Sequence, residues 1–220
     1  WSSDVCSSDL STKELIDKKQ LANFRIKCLV LKHTKEECKA AKDFKYIEEM
    51  RYLVSNEKRN KFIRNLALSL DKNTLILFQY VEKHGKILHE MIEKKAKDRK
   101  VFFVFGNTDT EVREEIRQIM EKESNAIVVA SFGVYSTGIN IRNLHNIIFA
   151  SPTKSKIRSL QSIGRGLRTN ENKDVATLFD ISDDLRHGKK ENFTLKHFYE
   201  RVKIYDEESF PYKLYMINLE

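Results

Sequence analysis

The sequence predicts an α/β fold in which a mostly parallel sheet carries helices on both of its faces. Short apolar runs that suit buried strands alternate with segments whose apolar residues recur every three or four positions, as in amphipathic helices. Hydrophobic residues make up 40% of the 220 positions, which is enough for a sizeable core. Only two prolines occur in the chain, so a disordered or collagen-like protein is excluded.

The first part of the chain predicts one strand and two helical regions. Ser11 and Glu14 have the spacing of a capping box, which predicts a short helix. The apolar run IKCLVL at 26–31 predicts the first strand. The highly charged residues 32–56 predict a connector with some helix, and the apolar stripe within 57–70 predicts a longer helix.

A regular alternation follows from residue 74 onward. Each apolar run is separated from the next by an amphipathic or polar segment, as parallel strands with crossover helices require. Strands are predicted at 74–80, 101–105, 126–130, 146–150, 175–180 and 212–217, with helices around 87–92, 112–120, 155–167 and 195–202 and a polar loop at 187–192.

Residues 1–10 (WSSDVCSSDL) lack the periodicity of the rest and resemble a cloning scar, so they are left out of the fold prediction. We expect residues 11–56 to form a connector with the first strand. Residues 57–220 are then expected to form the main domain.

Composition narrows the class of protein further. The formal charge of +8 favours a nucleic-acid partner. No stretch approaches the roughly 18 apolar residues of a membrane span, and no secretory signal is present, so a cytoplasmic protein is expected. Cys28 and Cys38 are expected to be reduced and buried, and no His or Cys spacing predicts a metal site. Asp183 and Asp184 are interpreted as a helix cap or a solvated turn.

Two stretches carry candidate chemistry. In parallel sheets, ligands bind beyond the carboxyl ends of the strands, where SFGVYSTGINI (131–141) is predicted to lie. Its small hydroxylated residues beside glycine suit phosphate binding, although an ordinary strand-to-helix turn explains the pattern equally well.

The second stretch is QSIGRGLR (161–168). Arg165 and Arg168 share one face of the predicted helix, where two guanidinium groups repel unless an anion lies between them. Their planar donors suit phosphate oxygens. A basic, solvated helix face is the alternative, but Gly164 and Gly166 would each cost such a helix about 1 kcal/mol.

STGIN (136–140) followed by QSIGRGLR resembles motifs V and VI of superfamily-two helicases, and TLILFQY (74–80) resembles motif IV. The likeness is to the C-terminal RecA-like domain, and it implies that residues 57–220 form this domain and that residues 11–56 are an interlobe connector with the first strand. It extends from about residue 11 to the C-terminus, and the wider context is similar to the UvsW-type recombination helicases of phages.

The resemblance implies the second lobe of an ATP-driven motor on branched or hybrid nucleic acid, either DNA or RNA–DNA. It implies that Arg165 and Arg168 reach the γ-phosphate of ATP, with Arg168 favoured as the arginine finger. The other implied roles are nucleotide binding or coupling for Gly138, Asn140 and Gln161, and nucleic-acid binding for Ser136, Thr137, Lys154 and Lys156.

The chain contains no G-x-x-x-x-G-K-[ST] loop and no acidic Mg²⁺-binding box after a strand. The resemblance places both in an N-terminal RecA-like lobe, which would hold ATP and Mg²⁺. The chain is therefore expected to be a lobe of the P-loop NTPase type that lacks its own P-loop and is inactive alone. The resemblance to phage helicases also implies a phage-encoded protein in the host cytoplasm. Two alternatives remain, a non-catalytic nucleic-acid-binding module and an unrelated phosphate-recognising enzyme.

Overall fold

The computed structural model describes residues 23–137, 141, 143–151 and 175–219. Within them, strands and helices alternate along most of the chain. The strands are β1 (Asn23–Lys32), β2 (Thr74–Phe78), β3 (Val101–Val104), β4 (Ile127–Ser131), β5 (Asn146–Phe149), β6 (Val175–Asp184) and β7 (Tyr212–Asn218). The helices are α1 (Lys35–Ala41), α2 (Tyr46–Ser55), α3 (Glu57–Ser69), α4 (Lys86–Glu93), α5 (Thr110–Lys122), α6 (Phe132–Thr137) and α7 (Phe193–Glu207), with a π-helical turn at Val81–Gly85.

The strands form one seven-stranded sheet in the order β3-β4-β2-β5-β6-β1-β7. Every pairing in it is parallel. A parallel sheet must be covered on both faces, and two separate apolar clusters do this. Helices α5 and α7 contribute to one cluster and α3 and α4 to the other. The predicted α/β fold class is therefore confirmed.

β1 lies inside the sheet, between β6 and β7. Its residue Ile26 pairs with Leu178 of β6 on one side and Tyr212 of β7 on the other. β6 continues four residues past its predicted end and reaches Asp184. The prediction that Asp183 and Asp184 cap a helix or lie in a solvated turn is wrong, because both are buried strand residues.

The charged region 32–56 folds into two helices at the carboxyl end of β1. Thr34 caps α1 by accepting a hydrogen bond from the Glu37 amide, and Glu37 accepts one from the Thr34 amide in return. Glu37 also accepts hydrogen bonds from Tyr52 Oη in α2 and from Asn56 Nδ2 at the start of α3. One carboxylate thus joins three successive helices.

The segment after β2 is irregular because the chain passes close to a buried ring. A Cβ added at Gly85, in the π-helical turn, would lie 2.5 Å from two atoms of the Phe78 ring. Only glycine allows this close approach. The helix predicted around 87–92 corresponds to α4, and the π-helical turn directly precedes it.

A second buried charged group is paired at the middle of β6. Arg201 of α7 donates to both Asp180 oxygens and to Ser182 Oγ, and Tyr205 Oη donates to Asp180 as well. Cys28 and Cys38 are both buried free thiols, as predicted, and burial raises the pKa of each. No helix in the described ranges combines the length and apolar character needed to cross a membrane.

Candidate nucleotide and nucleic-acid site

All seven strands point the same way, so their carboxyl ends form a single edge of the sheet. Four connections leave this edge beside one another in the middle of the sheet. α6 follows β4 directly, Gln79 and Tyr80 follow β2, Ser151 lies just beyond β5, and Leu185 follows β6. This is the edge at which open parallel sheets bind ligands.

Ser151 links the connections after β2 and β5. Its hydroxyl accepts a hydrogen bond from the Gln79 amide at 3.1 Å and lies 3.1 Å from His84 Nδ1. Ser151 and His84 are fully buried. The two connections are therefore held at a fixed distance from each other where they leave the sheet.

A buried charged cluster lies beside this contact. Arg59, near the start of α3, donates from Nε to both oxygens of Asp183 at 3.0 Å. Its Nη2 donates to the Ala150 carbonyl at 2.8 Å, and His33 Nε2 lies 3.1 Å from Asp183 Oδ1. Arg59 and Asp183 are completely buried. One guanidinium thus fixes the ends of β5 and β6 to α3.

The electrostatics of this cluster favour an ionised Asp183. Burial alone would raise the pKa of the carboxyl group. The positive charge of Arg59 and the contact with His33 outweigh that effect, and the pKa of Asp183 falls below its ordinary value. A charged pair in the interior is stable only with such hydrogen bonding, so the cluster requires its full set of partners.

A basic recess of about 640 Å³ opens at the carboxyl ends of β1 and β6. We use this name for the concave surface around Lys32, Lys35, Lys39 and Arg186. Arg186 is paired with Asp184 at 2.6 Å, and this contact lowers the pKa of Asp184 below its usual range despite partial burial. The three lysines form no ion pair with any described residue.

Most of the predicted site residues lie outside the described part of the chain. Ser136 and Thr137 lie by their backbone in α6, directly after β4 and at the ligand-binding edge. Lys154 and Lys156, which are predicted to bind nucleic acid, lie outside the described residues. So do the predicted nucleotide-binding and catalytic residues Gly138, Asn140, Gln161, Arg165 and Arg168.

Sequence reasoning missed Arg59 and Asp183 as parts of this edge. The adjacent carboxylates Asp183 and Asp184 at the end of an apolar run were a usable signal. If the strand continues through them they become buried, and buried carboxylates need cationic partners. No local pattern identifies Arg59 as that cation, since it lies 124 residues away along the chain.

Comparison with known proteins identifies the family. A model described as the helicase conserved C-terminal domain matches residues 57–170. The ATP-dependent DNA helicase uvsW of Enterobacteria phage T4 is 35% identical over 223 residues, which cover 96% of this chain and 44% of the relative. The putative ATP-dependent helicase IRC3 of Saccharomyces cerevisiae is 24% identical over 173 residues, which cover 76% of this chain and 24% of the relative.

The fold comparison gives the same result. The crystal structure of T4 UvsW matches with a TM-score of 0.79 and 34% identity, covering 90% of this chain and 42% of that structure. The chain spans less than half the length of these relatives. It belongs to the helicase conserved C-terminal domain family of superfamily two and is similar to the phage UvsW-type helicases.

Proposed function

We propose that this chain is the second motor lobe of an ATP-dependent helicase that acts on branched or hybrid nucleic acid, either DNA or RNA–DNA. The observation that carries the proposal is the order of STGIN (136–140) and QSIGRGLR (161–168), both within the matched family domain. The first residues of the two connections that contain these motifs, after β4 and after β5, support the proposal. α6 and Ser151 lie at the carboxyl edge, where a second lobe can meet a shared ligand.

The donor chemistry of the chain fits one side of an ATP site. Arg165 and Arg168 carry planar cationic donors that match phosphate oxygens, and Gly138, Asn140 and Gln161 would complete the contacts with the nucleotide. When bound with Mg²⁺ by an N-terminal RecA-like lobe, ATP supplies the phosphoryl group whose transfer releases the free energy for movement.

The role of this lobe is to stabilise charge and to respond to the ligand. An arginine finger contributes on the order of 10³–10⁵ to the rate of phosphoryl transfer. Because these arginines lie on a different lobe from the phosphate-binding loop, closure of the two lobes depends on the nucleotide. Backbone contacts by Ser136, Thr137, Lys154 and Lys156 carry no base information, as movement along a strand requires.

The arginine finger can be tested in a polypeptide that joins this chain to a nucleotide-binding lobe. We expect Arg168→Ala to reduce ATP turnover at least a hundredfold, because removal of a finger withdraws charge from the transition state. Nucleic-acid binding, measured by fluorescence anisotropy, should stay within about twofold.

Arg64→Ala is the matched control, because Arg64 is a partly exposed arginine on α3 whose guanidinium donates to the neighbouring Asn65 side chain. It should leave ATP turnover unchanged. Near-normal turnover in Arg168→Ala would rule out Arg168 as the finger. If Arg165→Ala also retained turnover, the motor assignment itself would fail.

A non-catalytic nucleic-acid-binding module is the second candidate, and the net charge of +8 favours it. The isolated chain would then bind nucleic acid tightly, with an affinity that falls steeply with salt concentration. A motor lobe would instead bind weakly until the nucleotide-binding lobe is added.

A further inference from the structure

A partly exposed aromatic patch lies at the start of α2 and α7. We use this name for Tyr46, Ile47, Phe193 and His197. The Tyr46 ring packs edge-on against Phe193 at a centroid distance of 6.0 Å and against His197 at 5.5 Å. Ile47 is 62% exposed and Phe193 is 40% exposed. Large apolar groups held together at the surface indicate a binding surface more often than scattered ones do.

The patch is held in a fixed geometry by a buried carboxylate. Glu49, one turn into α2, accepts hydrogen bonds from the Phe193 and Thr194 amides and from Thr194 Oγ1, at 2.7–2.9 Å. Asn192 Nδ2 donates to the same side chain at 2.9 Å. Glu49 is only 2% exposed. Tyr46 and Phe193 are therefore presented as a preformed pair, and little side-chain entropy is lost when a ligand covers them.

The aromatic patch and the basic recess are built on the same segments. Arg186 and Gly188 of the connection after β6 line the recess. The same connection leads into α7, whose first residue is Phe193. Lys42, Phe44 and Lys190 line a smaller hollow that also includes Phe193 and the carboxylate of Glu191. Lys42 and Lys190 are each paired with Asp43, whereas Lys35 and Lys39 of the basic recess form no ion pair with a described residue.

We propose that this surface binds a single-stranded segment of nucleic acid, with bases stacked on Tyr46 and Phe193 and phosphates held by Lys35 and Lys39. Charge complementarity identifies the occupant. Lysines on the same face as partly exposed aromatic rings are a combination that binds single strands, because every base has a π-face and every linkage a negative charge. The proposal deepens the proposed function, on which it rests, by adding base contacts to the backbone contacts predicted for residues 136–156.

The surface uses different connections from those that carry the predicted motor residues. It lies after β1 and β6, whereas the predicted nucleic-acid contacts follow β4 and β5. In a helicase on branched substrate, two strands leave the junction. A second single-strand surface on the same lobe would hold one strand while the motor site moves along the other.

The stacking contacts are tested by the double variant Tyr46→Leu/Phe193→Leu in the full chain, with each single variant measured as well. Leucine keeps the patch apolar but removes the π-face. We expect affinity for a short oligothymidylate to fall about fivefold to a hundredfold, since stacking contributes strongly for each base. Affinity for an abasic oligonucleotide of the same length should not change.

Tyr199→Leu/Tyr215→Leu is the matched control, because both tyrosines are 39% exposed and lie outside the aromatic patch. It should leave both affinities unchanged. An equal loss on the abasic strand, or no loss on either strand, would overturn the stacking assignment. The assignment would also be overturned if Tyr46→Leu/Phe193→Leu kept normal DNA binding but no longer associated with a nucleotide-binding lobe. The aromatic patch would then bind protein.

The phosphate contacts are tested by Lys35→Gln/Lys39→Gln. The slope of log affinity against log salt should fall by about 0.7 for each phosphate that the variant no longer neutralises, equally on the normal and the abasic strand. Lys122→Gln/Lys203→Gln, which changes two exposed lysines on α5 and α7, should keep the original slope. An unchanged slope in the first variant would remove the basic recess from the site.

These binding measurements do not use ATP, so their failure is distinguishable from failure of the motor assignment. If both proposals hold, Tyr46→Leu/Phe193→Leu should lose affinity for oligothymidylate but keep normal ATP turnover in the joined polypeptide. Arg168→Ala should leave the stacking signal unchanged. A stacking signal that disappeared in Arg168→Ala would show that the bases contact the motor site and not the aromatic patch.

Discussion

At the scale of single residues, buried Arg59 connects the core to the candidate site. It contacts Asp183 at the end of β6 and the Ala150 carbonyl at the end of β5. Ala150 and Ser151 lead directly into the segment that contains Arg165 and Arg168. Arg59 therefore fixes the point at which this segment leaves β5, although it contacts neither nucleotide nor nucleic acid in the proposed arrangement.

We expect Asp183→Asn to lower the free energy of unfolding by about 3–5 kcal/mol, because it leaves the Arg59 charge buried without a carboxylate. Urea denaturation of the chain would measure the change. Asp98→Asn is the control, since Asp98 is exposed, and it should shift the free energy by less than about 0.5 kcal/mol. A change below about 1 kcal/mol in Asp183→Asn would contradict the assigned role of the pair.

The aromatic residues show what sequence reasoning at this scale could not provide. The apolar pattern predicts that most aromatic side chains lie in the core, and Phe78, Phe149 and Phe198 do. Phe193 is exposed instead, although it belongs to an amphipathic helix. It stands in the first turn of α7, where Glu49 from another helix fixes the backbone, and no local pattern shows that contact.

At the scale of the elements, apolar periodicity predicted most helices and strands well. The stripe within 57–70 corresponds to α3, and the runs at 101–105 and 126–130 correspond to β3 and β4. Periodicity did not predict α1 and α2 as separate helices within the charged region 32–56. The many charged residues on their exposed faces obscure the apolar stripe of each helix. A usable signal was present, since Thr34 and Glu37 have capping-box spacing.

Glu37 makes the junction of α1, α2 and α3 sensitive to acid. Although burial favours its neutral form, hydrogen bonds from the Thr34 amide, Tyr52 and Asn56 lower the pKa of Glu37 to about 2. An unfolded glutamate has a pKa of about 4.3. The stability that Glu37 contributes is therefore complete above about pH 4.3 and is lost as the pH falls toward 2.

We expect the stability difference between the original chain and Glu37→Gln to be constant near neutral pH and to shrink between about pH 4 and pH 2. Urea denaturation at a series of pH values would measure it. Glu36→Gln, at an exposed neighbouring position, should follow the original chain at every pH. A difference that grew on acidification would contradict the assigned ionised state.

At the scale of the whole molecule, the sequence predicted the class of fold but not the order of its strands. Alternating strands and helices imply a parallel sheet, and all described pairings are parallel. The position of β1 between β6 and β7 depends on pairings such as Ile26 with Leu178, between residues far apart in the chain. Such long-range pairings leave no mark in local periodicity.

Among the described residues the sheet ends at β7, where Leu214 is 50% exposed and Met216 is 45% exposed. An uncovered edge strand with apolar side chains favours association between molecules. We expect Leu214→Lys/Met216→Lys to raise the concentration at which the chain aggregates, measured by light scattering, and to change the thermal midpoint by no more than a few degrees. A large fall in the midpoint would show that both side chains are needed for packing.

The central position of β1 also determines when the domain can fold during its synthesis. The ribosome makes β1 before both of its neighbours in the sheet, β6 and β7. Until β6 and β7 have left the exit tunnel, β1 has neither of its pairing partners, and the half of the sheet beyond β5 stays incomplete. A nascent chain of this architecture therefore exposes apolar strand residues while β2 to β5 are being made, and this favours aggregation at that stage.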